Sequence, residues 1–214
     1  QGRVERMVVL MPEPMQRRDT LQAYDRLERT ASDLGASLIT GLPTVLRHEA
    51  SVLVHQMAMS LTIACIVASL LVALAFGRLW IAAVLVMPNM LPLLLAAGIY
   101  AGFNGWRIGP SAVLALTVAF GIAIDDSIHF VSRYLQARDR DVPVEAALGQ
   151  AANRAGWPMT ITTVLICAGL SVPLFSSFET VKAFAGIQIA ALVVALVSDL
   201  VLLPALIHLR ENRQ

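Results

Sequence analysis

Hydrophobic positions along this 214-residue chain change their pattern once, near residue 50. Before that point apolar and polar residues interleave. Met7, Val8, Val9 and Leu10 form a short apolar core within residues 4–11, closed by Pro12 and Pro14, which predicts a strand. Leu21, Tyr24, Leu27, Ala31 and Leu34 recur at three- and four-residue spacing across residues 19–34, which predicts an amphipathic helix ended by Gly35. Residues 37–40 predict a second short strand before Gly41 and Pro43. A β-α-β piece of this size does not bury enough surface to hold a core by itself. Residues 1–50 are therefore expected to complete a domain whose remainder lies upstream.

After residue 50 come five apolar runs, at about 52–76, 79–101, 110–132, 157–175 and 184–209. Each reaches or approaches the roughly 20 residues a helix needs to cross the hydrocarbon core. The pattern predicts an α-helical polytopic membrane protein, with a membrane domain over 51–209 and a tail over 210–214. Pro88, Pro92, Pro158, Pro173 and Pro204 interrupt the runs, and prolines in such helices mark kinks whose freed backbone groups neighbours must satisfy. Pro88, Asn89 and Pro92 make the second run the one expected to bend most. Between residues 133 and 156, Val142, Val144, Ala146, Ala147, Leu148 and Ala151 keep an apolar stripe. That stripe predicts a short helix opened by Pro143, either lying on the cytoplasmic membrane face or serving as an ordinary amphipathic connector.

Composition agrees with this class. Hydrophobic residues make up 57% of the chain and charged residues 14%, with a mean hydropathy of +0.70, outside the usual soluble range. The net charge of +1 gives no field suited to nucleic acid, and none is expected as a partner. Cys65 and Cys167 lie in apolar runs without disulfide or metal-ligand spacing and read as small buried hydrophobes. No cofactor and no metal is expected. The chain opens on Gln1 with no signal-peptide pattern, as the C-terminal part of a longer protein is expected to do.

Orientation follows from the basic residues of the short loops. Arg78, Arg133, Arg138, Arg140, Arg154, Arg210 and Arg213 fall on one side, against Arg107 and Lys182 on the other. The first side is expected to be cytoplasmic, with the C-terminus there and residues 1–50 outside a plasma or inner membrane.

Against this apolar background, the third run holds two adjacent carboxyls, Asp125 and Asp126. A charged side chain at mid-membrane costs roughly 2.5–3.5 kcal/mol on insertion scales. Such a pair is kept where it faces protein or water, and two neighbouring carboxyls in low dielectric resist ionising together. One of them is expected to hold a proton, as a proton relay requires. On a helix, Gly121, Asp125, His129 and Ser132 share a face that Asp126 borders. Gly121 is expected to admit a neighbouring backbone. His129 is a further candidate for the relay, because imidazole titrates near neutrality, or else a cap on a polar cluster. Asp199 in the fifth run lies at a depth similar to that of Asp125 and is a third candidate, or a hydrated interfacial carboxylate. Ser127, Thr160, Thr162 and Thr163 are candidate supporting groups that hydrogen-bond between helices. Glu179 and Lys182 read as a solvated pair in an outer turn.

The run from Gly121 to Phe130, followed by Arg133 and Tyr134, resembles a hallmark of the RND superfamily, and more narrowly the MMPL-type exporters related to Patched-like and sterol-sensing-domain proteins. Residues 157–163, Gly169, residues 174–178, Phe184, Gly186, the stretch from Asp199 to Leu206 and the upstream residues 40–43 fit the same pattern. The resemblance covers essentially the whole chain. It implies two homologous halves, each with one helix, a porter domain outside the membrane and five further helices. This chain then corresponds to the end of a porter domain plus the last five helices of the C-terminal half. It also implies proton-motive-force-driven export of lipids or other hydrophobic molecules, with Asp125 and Asp126 as the relay. The antibiotic-efflux branch places a lysine in the second half; the third run here has none, which favours the MMPL-like arrangement. The implied partners are the bilayer, protons, a hydrophobic substrate and the absent N-terminal half, with a second copy of the chain left open.

Two other functional classes fit the same residues. A sterol-sensing-like lipid sensor or scaffold would keep the bundle without pumping, because a fold alone does not prove transport. An intramembrane aspartyl protease would use Asp125 or Asp126 together with Asp199, and Pro204, Ala205 and Leu206 resemble an element of such proteases. The Gly-x-Gly-Asp element they also carry is absent before Asp125 and before Asp199.

Overall fold

The computed structural model describes residues 18–34, 42–103 and 109–212. The chain divides into two units, Gln1–Val52 and Leu53–Gln214. In the first unit the amphipathic segment is helical as expected, forming α1 (Arg18–Asp33). Its last turn is closed by the Leu34 amide donating to Thr30 O at 3.0 Å. The expected strands at 4–11 and 37–40 lie outside the described residues. Among the described residues there is no strand, so the α+β character expected for residues 1–50 finds no support and only its helix is seen.

Among the described residues, five helices are long and apolar enough to cross a membrane, and each contains one of the five apolar runs. The first is the C-terminal part of α2 (Leu42–Phe76), from Val52 onward. It is followed by α3 (Leu79–Phe103) and α4 (Pro110–Arg138). The fourth span, Val144–Phe175, is composite: α5 (Val144–Ala151), a wide π-helical turn over Ala152–Gly156, α6 (Trp157–Ser171) and a tight 3₁₀ turn over Val172–Phe175. The fifth, Glu179–Glu211, contains α7 (Glu179–Val197), a second wide turn over Ser198–Leu202, and α8 (Leu203–Glu211). The helices outrun the apolar runs because hydrogen bonding does not stop at the first charged residue. Gly77 turns α2 into α3 within two residues; its φ of 62° is open to glycine at little cost.

Proline accounts for both wide turns. Pro158 and Pro204 have no N–H for the carbonyls of Arg154 and Leu200, four residues back, and their rings crowd those carbonyls. Each helix widens over the turn that contains the crowded carbonyl and resumes α geometry at the residue before the proline. Gly156 and Leu200 bring the two wide turns together: a Cβ on Gly156 would stand 2.9 Å from Leu200 Cδ2.

The segment whose stripe predicted a short helix forms α5, joined to α6 through the first wide turn and included in the fourth span. Part of its stripe packs into the bundle, with Ala147 and Ala151 fully enclosed and Val142 and Leu148 beside them, while Ala146 is exposed. Apolar surface of this kind is better covered by neighbouring helices than left at an interface. At that end Arg138 donates to Val142 O at 2.8 Å and lies 3.7 Å from Glu211, while His208 is 4.0 Å from Glu145. Two apolar clusters make up the core. One gathers Ile81, Leu85, Phe130, Tyr134, Ala151, Leu203 and Ile207 toward the arginine-rich end. The other gathers Leu93, Ala96, Leu116, Phe120, Ile187 and Ala191, with Leu61, Cys65 and Ala68 of α2 along its side. Cys65 and Cys167 are half-buried and free. The outer faces of α2 and α6 present Ile63, Ile66, Leu70, Leu74, Val164 and Leu165, a surface suited to lipid.

Candidate functional site

Helix α4 carries two polar sites on different faces, because 100° per residue separates side chains only two positions apart. Gly121, Asp125, Asp126 and His129 line an open groove of about 730 Å³ between α4 and the fourth span. Its further walls include Pro158, Met159, Thr162 and Ile166, and Arg133 and Arg154 stand at its basic end. His129 Nε2 lies 3.7 Å from Asp125 Oδ1, and the two side chains are 65% and 71% exposed. Successive turns of α4 thus present carboxyls, an imidazole and a guanidinium along one groove. Asp126 is half-buried at its wall.

The shared face expected for Gly121, Asp125 and His129 is therefore present. Ser132 is half-buried beyond it and accepts from Gln136 at 3.5 Å. The close backbone approach expected at Gly121 is not made by this chain: nothing stands within 4 Å of the position its Cβ would take. The threonines also differ from expectation. Thr160 Oγ1 donates to Gly156 O at 2.7 Å, and Thr162 Oγ1 to Met159 O at 2.9 Å, so both hydroxyls bond within their own helix rather than between helices. Thr163 is buried, whereas Thr162 reaches the groove.

The second site is enclosed. Ser127 (0% exposed) donates from Oγ to Asp199 Oδ1 at 2.5 Å, and Asp199 is 1% exposed. Asn89 Nδ2, on α3, donates to Ser127 Oγ at 3.1 Å and to Leu85 O at 2.8 Å. These three side chains lie between the two apolar clusters, since Asn89 falls between Leu85 and Leu93, Ser127 between Phe120 and Phe130, and Asp199 between Ala191 and Leu203. A polar layer therefore crosses the middle of the bundle. Asp199 Oδ2 and Asn89 Oδ1 have no hydrogen-bond partner among the described residues.

Asp199 is thus a buried group turned to Ser127, not a hydrated interfacial carboxylate. It lies in the wide turn that Pro204 produces, and such turns recur at functional positions. A protease dyad of Asp125 or Asp126 with Asp199 needs both carboxyls open to one water, and Asp199 is sealed from solvent. Sequence reading missed Asn89 as a member of this layer; an amide between two prolines in an apolar run was the available signal. Among the described residues no cluster of His, Cys, Asp and Glu could hold a metal ion.

Comparison with known proteins bears on the whole chain. A curated relative, the hopanoid transporter HpnN of Burkholderia multivorans, is 30% identical over 98 residues, which are 46% of this chain and 11% of that protein. The chain thus spans a small part of that relative's length. Residues 3–213 match the MMPL family. A match running from the third residue to the second-last makes this chain a member of the MMPL family.

Proposed function

We propose that the chain is part of a proton-motive-force-driven exporter of the RND type, moving lipids or other hydrophobic molecules. The observation that carries this reading is the placement of Asp125 and Asp126 at mid-span, in a groove on the flank of the bundle. Carboxyls at that depth are tolerated beside protein or water and not beside lipid tails. A segment of the same protein, its N-terminal half, covers the groove and leaves a path for protons along α4. Asp125 and Asp126 load and release the proton, His129 passes it toward Arg133, and Asp199 is a second, enclosed loading point.

Protonation changes which helix packing is more stable, so that proton flow biases the bundle between two states. Residues 1–50 belong to a domain outside the cell or inner membrane, and the arginine-rich end faces the cytoplasm. A hopanoid transporter among the relatives supports a lipid as the cargo class.

The test is movement of a fluorescent hopanoid between leaflets or onto acceptor vesicles by the intact protein in proteoliposomes. An imposed proton gradient drives it in the parent protein, and Asp125→Asn and Asp126→Asn each reduce it at least tenfold. Movement that proceeds equally in both variants and without a gradient leaves a lipid sensor or scaffold as the better description.

A further inference from the structure

Hydroxyls on the membrane helices of this chain bond back to their own backbone as a rule: Thr62 to Ala58 O, Ser69 to Cys65 O and Thr117 to Val113 O, at 2.8–2.9 Å. Ser127 departs from this rule and donates across to Asp199. What accompanies the departure is Asn89. Both protons of its amide nitrogen are engaged, one on Leu85 O and one on Ser127 Oγ. The reverse placement of the amide would set its oxygen against the Leu85 carbonyl, so chemistry fixes the orientation. With its oxygen held by Asn89, the Ser127 hydroxyl keeps the rotamer that reaches Asp199.

We propose that Asn89 is a positioning residue for the Asp199 carboxyl, acting through the Ser127 hydroxyl, so that α3 is hydrogen-bonded to the group that holds the proton. The inference rests on the proposed function in one respect, that Asp199 takes up and releases a proton. The joint is built for such a group. Asp199 accepts from Ser127 when ionised. When it is protonated, its carbonyl oxygen can still accept from Ser127, now as a neutral and weaker partner. Asn89 Nδ2 continues to hold the Ser127 oxygen in either case. Pro88 and Pro92 flank Asn89, which places the joint at the interrupted part of α3.

The experiment is infrared difference spectroscopy of the intact protein in vesicles of phosphatidylethanolamine and cardiolipin, recorded between acidic and alkaline buffer. The carboxylic-acid band that disappears in Asp199→Asn is assigned to Asp199. In Ser127→Ala that band is expected to move toward the frequency of a carboxyl with fewer hydrogen bonds. Asn89→Leu is expected to move it the same way, and the double variant no further than Ser127→Ala alone. Asn89→Ser, too short to span the gap, replaces Asn89→Leu where the latter does not fold. A band unmoved in both Asn89 variants, with Ser127→Ala still shifting it, overturns the positioning role. No Asp199-dependent band at any pH overturns the proton-carrying reading of Asp199 and the joint with it. A shifted band combined with gradient-independent lipid movement upholds the joint and rejects the pump.

Discussion

Ser127 Oγ and Asp199 Oδ1 meet at 2.5 Å across 72 residues of sequence, with both side chains closed to solvent. Removing one partner of a buried pair exposes the other to its full desolvation cost, about 1–3 kcal/mol. Ser127→Ala is expected to destabilise the protein by that amount, because Asp199 and Asn89 both lose a partner. Thermal unfolding in detergent measures it, and a double-mutant cycle with Asp199→Asn isolates the pairwise part. A coupling near zero means the two groups do not interact.

The contact of Gly156 with Leu200 makes a second expectation. A methyl at position 156 would stand 2.9 Å from Leu200 Cδ2, the far end of a side chain that can swing aside. Gly156→Ala is expected to cost about 1 kcal/mol, the low end for overpacking, and Gly156→Leu several times more. Leu200→Ala in the Gly156→Ala background restores part of the loss in melting temperature if the clash is its cause.

Pro204 is expected to matter through geometry. Pro204→Ala supplies the N–H that the Leu200 carbonyl lacks and removes the ring that crowds it, so the turn holding Asp199 can revert to α geometry. That change advances the register of Asp199 against Ser127. Transport falls while the melting temperature holds or rises, the signature of a strained turn retained for function. Equal losses in both would mark the proline as structural alone.

Gly121 tests whether the groove is covered in the intact protein. Its Cβ position is free of neighbours within this chain, as is that of Gly169. Gly121 lines the groove and Gly169 does not. Gly121→Leu is expected to reduce lipid movement severalfold by blocking a covering helix, while Gly169→Leu leaves it unchanged. Equal tolerance at both positions argues for an uncovered, water-filled groove.

Much of the bundle was legible in the sequence, because a bilayer demands long apolar runs and those runs are unmistakable. The α1 helix falls where the pattern places it, and each of the five apolar runs lies within a candidate span, the fourth of which starts earlier, at Val144. The stripe of Val142, Ala147, Leu148 and Ala151 was legible as an apolar face but its neighbours were not, because amphipathicity reveals such a face without saying what covers it. The shared face of Gly121, Asp125 and His129 could be read from helical periodicity alone. The partners of Asp199 could not, since a contact between helices 72 residues apart in sequence leaves no local period. The wide turns escaped notice for another reason: a proline announces a lost hydrogen bond, but whether the helix kinks or widens depends on its neighbours.

The most direct measurement of the central claim is lumenal pH in proteoliposomes of the intact protein, followed with a trapped dye while a hopanoid is supplied. Protons are expected to cross in step with the lipid, a protonophore to stop lipid movement, and Asp126→Asn to abolish both fluxes together. Lipid movement that continues at the parent rate in Asp126→Asn, or with the gradient dissipated, would contradict the claim.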